Sequence, residues 1–246
     1  MWKVYLPVMA LMFSPLLART AQGRTNKSIY PQTGFVTERL SPVELEKWKG
    51  IERIVFAENV EGQTSHPTLR NLWQWIETSG HTVYIEIIKL RTGFSCTAGL
   101  FHIERFDPLG DHHIAVIKLN LDSINLAYVG PDTMKPNGFV PFLGLEKEER
   151  YAEVLGHELS HAVHILTDLE RSRLVEDTVQ ETNQMILAFH QRPKSGGLAA
   201  DLKRRISKRD VVLKSLEKQA EGMEKVIWQE LTAAKSLTAT GQAGRK

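Results

Sequence analysis

His157 and His161 stand four residues apart, with Glu158 beside the first, in the run Tyr151-Ala-Glu-Val-Leu-Gly-His-Glu-Leu-Ser-His-Ala-Val163. Four residues is slightly more than one helical turn, so on a helix both imidazoles face one side and can serve a single metal ion. Glu158 projects from the neighbouring position, where its carboxylate reaches a water held at that ion rather than the ion itself. Zinc suits such nitrogen donors. It draws the water's pKa towards neutrality, and the carboxylate can then take the proton as the water attacks a carbonyl. Val154, Leu155, Ala162 and Val163 flank the motif without charge. A helix buried beside a metal needs this, because an unpaired charge there is costly.

Two histidines leave a catalytic zinc one protein ligand short, with a further position open to water. The run around His157-Glu158-Leu159-Ser160-His161 resembles the metal helix of the zinc metallopeptidases called zincins. His-Glu-Leu-Ser-His-Ala-Val is similar in particular to that of the thermolysin-type gluzincins, over roughly ten residues. The resemblance implies Zn2+ as cofactor and a peptide or protein as substrate. It also implies docking of an extended substrate along the strand before the metal helix, here residues 113–121, as an added β-strand. The metzincin variant would place a third histidine six residues after His161, but Thr167 stands there. His164 lies about 10 Å along the axis from His157, too far to share one ion.

The gluzincin variant takes a glutamate from the following helix, and two compete. Glu181, twenty residues after His161, matches the thermolysin-type spacing. Glu176 lies level with the midpoint of the two histidines if the helices form a tight antiparallel hairpin turning near Thr167. The local geometry favours Glu176 and the resemblance favours Glu181; the one not used, or Asp177, would orient an imidazole. The resemblance also asks for a downstream Tyr or His as oxyanion donor. No Tyr follows Tyr151, and His190 is the only His beyond the metal helix, with Arg171, Arg173 and Tyr128 as substitutes.

Around this motif the chain reads as α+β: a small antiparallel sheet packed on the metal helix and a following antiparallel helix, with a long C-terminal helix. Ser41-Pro42-Val43-Glu44 opens a helix to about Lys49, followed by a strand over 51–57. A helix with Leu69, Leu72, Trp73 and Ile76 closes at Gly80, its tryptophans serving as packing. Strands follow over 82–90, 98–106 and 113–121, the last two joined by the turn Asp107-Pro108-Leu109-Gly110-Asp111 as a hairpin, with His112 and His113 exposed in it. Residues 128–145, rich in Gly and Pro, form a loop. The metal helix runs over 146–166. Thr167-Asp168-Leu169-Glu170 caps a second helix to about 191, and 191–197 is a linker. The last helix, 198–237, carries Leu213, Leu216, Ala220, Met223 and Ile227 as a coiled-coil-like stripe that folds back on the domain or pairs with a second copy.

The 246 residues are 42% apolar and 24% charged with a net charge of +2, an ordinary globular balance with no signature of nucleic-acid binding. Met1-Trp2-Lys3 and the apolar run 4–13 read as a signal peptide over 1–21, cut after Ala18 or Ala21. That run is short for a membrane span, which leaves an uncleaved anchor as the variant that would hold the protein at a membrane. The single cysteine, Cys96, precludes an intramolecular disulfide. The expectation is an exported, periplasmic or secreted protein with a zincin-like domain over 22–191 and a helical segment over 198–237. The function expected is zinc-dependent peptide hydrolysis. The alternative is a non-catalytic, zinc-stapled envelope or adaptor protein acting through its C-terminal helix, including as a homodimer.

Overall fold

A computed structural model describes residues 32–88, 98–107, 109, 112–127, 129, 133–135, 138–191 and 196–243. The expected signal peptide, Cys96 and Tyr128 lie outside the described residues, as do the side chains of Glu176 and His190. The fold is α+β. In chain order it comprises β1 (Gly34–Val36), α1 (Pro42–Val55), α2 (Pro67–Thr78), β2 (Thr82–Ile88), β3 (Gly99–Arg105) and β4 (Ile114–Asn120). Then come α3 (Leu121–Leu126), α4 (Lys147–Leu166), α5 (Leu169–Gln191) and α6 (Gly196–Ala243).

The four strands lie in the order β1-β2-β4-β3. The sheet is mixed, where the sequence suggested an antiparallel one: β1 and β2 pair in parallel, as do β2 and β4, and only β3 with β4 is antiparallel. The reason is connectivity. Two helices separate β1 from β2, a crossover that returns the chain in the same direction. The expected hairpin forms, and β4 then inserts between β2 and β3. The edge strand beside α4 is therefore β3, not the 113–121 segment.

The expected strand over 51–57 is instead the second half of α1. Trp48, Ile51 and Val55, spaced three and four apart, are all buried. The same apolar residues that read as a strand thus complete a helical stripe, and packing decides between the two periods. Its start is the expected one, with Ser41 accepting from Glu44 N–H and the Glu44 carboxylate accepting from Ser41 N–H at 2.9 Å. Trp73 stacks on Trp48 with ring centroids 5.0 Å apart, within the core.

His113 also departs from expectation, because it is 1% exposed rather than solvated. Its neighbours enclose it: Asp107 N–H donates to His113 Nδ1 at 3.0 Å, and the ring lies between Phe106 and His81. His112 is half-buried, its Nδ1 2.6 Å from Gly80 O.

α6 lies back across the domain. Leu216, Ala220, Ile227 and Leu231 are buried, and Ile227 and Leu231 belong to the main core. The stripe legible in the sequence is thus used within the chain. Trp228 Nε1–H donates to Leu143 O at 2.9 Å, Lys135 pairs with Glu221 at 2.8 Å, and Glu230 accepts from Thr68 N–H at the start of α2 at 3.1 Å. α4 packs far more extensively on α6 than on α5. Among the described residues no helix is long and apolar enough to cross a membrane.

Candidate metal centre

α4 begins with a reciprocal cap, Glu146 N–H donating to the Glu149 carboxylate at 2.6 Å, and places Glu148 and Glu149 where the helix dipole favours anions. Its middle is enclosed on several sides: Leu155, Leu159 and Ala162 are fully buried against α1, α2, the sheet and α6. This burial holds the motif helix rigid, so the histidine side chains are placed by packing rather than by solvent.

The two histidines do face one side. His157 Nε2 and His161 Nε2 lie 3.1 Å apart. The third donor comes from α6, with Glu217 Oε2 3.4 Å from His157 Nε2 and Glu217 Oε1 3.5 Å from His161 Nε2. Donors of a tetrahedral zinc held at 2.0–2.1 Å stand about 3.3 Å apart, so this triangle has the size the ion requires. His157, His161 and Glu217 are the one such cluster among the described residues. Two imidazole nitrogens and one carboxylate are a donor set zinc accepts, and three protein donors leave a coordination position free for water or substrate.

The electrostatics favour a cation at this point. Burial alone would lower the His157 imidazolium, but hydrogen bonds to Glu217 and Glu224 and the charge of Glu158 outweigh it and raise its pKa to about 10. Burial acts against the Glu217 carboxylate too, yet its bonds to both histidines hold it well below the usual carboxylate range. Two carboxylates, of Glu217 and Glu224, thus converge on His157.

Glu158 lies against β3 and is 5% exposed. Burial pushes its carboxyl up; the imidazoles of His157 and His161 pull it down, Glu217 and Glu224 push it up again, and the net value is about 7. A carboxylate poised near neutrality both accepts and returns a proton. Gly99 of β3 lies directly against it: a Cβ there would come within 2.5 Å of Glu158 Oε1. Ala98 O accepts from Asn120 N–H at 2.8 Å, so the alternation of an antiparallel pair turns the backbone groups of Gly99 to the outer edge of the sheet.

Of the other residues singled out in the sequence, Glu181 is brought to Arg205 of α6, with which it forms an ion pair, and its side chain is 52% exposed. Glu176 lies on α5. A hairpin level with the two histidines would need α5 to line α4, whereas α6 packs there far more extensively. His164 is apart from the donors, its Nδ1 3.3 Å from Ser160 Oγ. Sequence reasoning missed Glu217, Glu224 and the half-buried cation Lys135. Burial disfavours the Lys135 charge, but the bond to Glu221 and the charges of Glu224 and Glu217 raise its pKa. A signal for the two glutamates existed: each follows a stripe residue by one, Leu216 and Met223, and so borders the buried face of α6.

No protein-family model, no curated protein and no solved structure matches the chain.

Proposed function

We propose that the protein is an exported zinc-dependent peptidase, with zinc held by His157, His161 and Glu217 and with Glu158 as the general base. The observation that carries the reading is the triangle of donors 3.1 to 3.5 Å apart beside a buried carboxylate that titrates near neutrality. Bound there, zinc supplies Lewis acidity, polarising a carbonyl and bringing water's pKa towards neutrality. Glu158 takes the proton of the attacking water and delivers it to the departing amine, returning to its starting state. β3 supports a peptide as substrate, since its outer edge pairs with no strand among the described residues and its Gly99 adjoins Glu158. An extended chain added to that edge would pass the general base. The apolar run at the N-terminus supports export.

Replacing Glu158 by Gln keeps the shape and removes the base. Zinc stoichiometry should stay at wild type while hydrolysis of casein or a broad peptide mixture falls about 100- to 10,000-fold, the range that loss of a general base costs. Retained hydrolysis in Glu158→Gln would sink the reading. The second reading, a non-catalytic zinc staple, has its own observation: the third donor sits on α6, so the ion would clamp that helix to α4. Zinc binding without hydrolysis in the wild-type protein would favour it.

A further inference from the structure

His157 uses its two ring nitrogens for different partners. Nε2 faces His161 and Glu217, while Nδ1 lies 3.2 Å from Glu224 Oε2. Glu217 and Glu224 are seven residues, two helical turns, apart on α6, so both meet the same side of α4. Their burial differs sharply. The Glu217 side chain is 56% exposed, as a ligand at an open coordination site can be, whereas the Glu224 side chain is 9% exposed. A glutamate on a Lys- and Glu-rich helix is ordinarily solvated; one enclosed this far needs a partner, and His157 Nδ1 is that partner.

We propose that Glu224 is a positioning residue for the metal centre, holding His157 by its Nδ1–H so that the Nε2 lone pair points at the ion. This rests on reading the His157, His161 and Glu217 cluster as that centre. A carboxylate accepting from Nδ1 selects the tautomer with a free Nε2, removes the ring's rotational freedom and makes the imidazole a stronger base. Among the described residues no side chain meets His161 Nδ1, so the two ligands are supported unequally and the effect of Glu224 falls on His157 alone. A single helix then supplies both the third ligand and the support of the first.

The test is zinc affinity of the full chain, measured by competition with a chromophoric chelator, with the visible spectrum of the Co2+ form as a second readout. Glu224→Ala should bind zinc 10- to 100-fold more weakly, the range for loss of such a partner. Glu224→Gln, whose amide oxygen still accepts from Nδ1–H, should recover all but a few-fold of that loss and give a Co2+ spectrum close to wild type. If Glu224→Ala does not fold, Glu224→Leu keeps the buried volume and makes the same comparison. Wild-type affinity in the Ala or Leu variant overturns the proposal, as does a Gln variant no better than Ala. A wild-type protein that binds no zinc is a different result, overturning the metal centre itself.

Discussion

A methyl group on Gly99 would stand 2.5 Å from Glu158 Oε1, 2.7 Å from its Cγ and 2.9 Å from its Cδ. The absence of a side chain on the edge strand is therefore what admits the carboxylate, and Glu158, only 5% exposed, has little space to swing aside. Gly99→Ala should displace Glu158 or β3 and lower kcat/KM about 10- to 100-fold, a loss typical of catalytic groups moved by about an ångström. The three atoms nearest that methyl all belong to Glu158 and none to the proposed ligands, so zinc affinity should change less than threefold. Gly222→Ala, on α6 with nothing within 4 Å of the new Cβ, is the control and should leave both unchanged. Parallel loss of zinc and activity in Gly99→Ala would show that the strand supports the fold rather than the base.

Gly156, the residue before His157, performs the equivalent service on the other side of α4. A Cβ there would collide with Ile227 Cδ1 of α6 and come within 3.3 Å of Leu69 Cδ1 of α2. A helix-interior Gly costs about 1 kcal/mol relative to Ala, and here it permits the close approach that lets Glu217 and Glu224 reach His157. Gly156→Ala should thus destabilise by about 1 to 3 kcal/mol through overpacking despite the better helix former. It should also weaken zinc binding by pushing α6 away. Ile227→Val removes the colliding atom, so the double variant should regain most of the zinc affinity. Denaturant titration and chelator competition on the four proteins of this cycle measure both effects. A double variant no better than Gly156→Ala would refute the collision.

The motif helix was legible because its information is local: four-residue spacing, uncharged neighbours and an acidic first turn; the expected cap of the next helix shifts by one residue, since Asp168 rather than Thr167 accepts from Arg171 N–H, at 3.0 Å. The β3–β4 hairpin was legible for the same reason, since the Asp107 turn and the strand alternation lie within one short stretch. What the sequence concealed is tertiary. Ile51 and Val55 fit a strand or a helix, and only their burial together with Trp48 settles which. β3 lies one strand away from β2, and β4 returns from the hairpin to fill the place between them, an order that no local rule announces. The third donor depends on which helix covers α4. A short turn at Thr167 pointed to α5, but Ile227 packing on Gly156 gives that place to α6. Glu217 then arrives from a segment whose alternating Lys and Glu look solvated in sequence.

Glu153, one turn before His157, gives the fold a measurable pH dependence. It is fully buried and accepts from Phe142 N–H at 3.2 Å; Phe142 is the single non-glycine residue with positive φ among the described residues. Burial, and secondarily the charge of Glu224, pushes its carboxyl up to about 9 from an ordinary 4.5. The folded value is the higher one, so the folded state binds the proton more tightly than the unfolded chain does. The stability this group contributes is complete below pH 4.5 and is lost as pH rises through about 9. By pH 7 the unfolded chain has gained on the order of 3 kcal/mol by releasing that proton. Glu153→Gln keeps the acceptor for Phe142 N–H and cannot ionise. The variant should therefore match the wild type near pH 4.5, exceed it by up to about 3 kcal/mol at pH 7, and widen the gap towards pH 9. Urea denaturation of the chelator-treated full chain at several pH values measures this, and in that difference the titration of His157, common to both proteins, largely cancels. A gap that stays constant with pH would mean that Glu153 is ionised in the folded protein, stabilised by a partner other than Phe142 N–H.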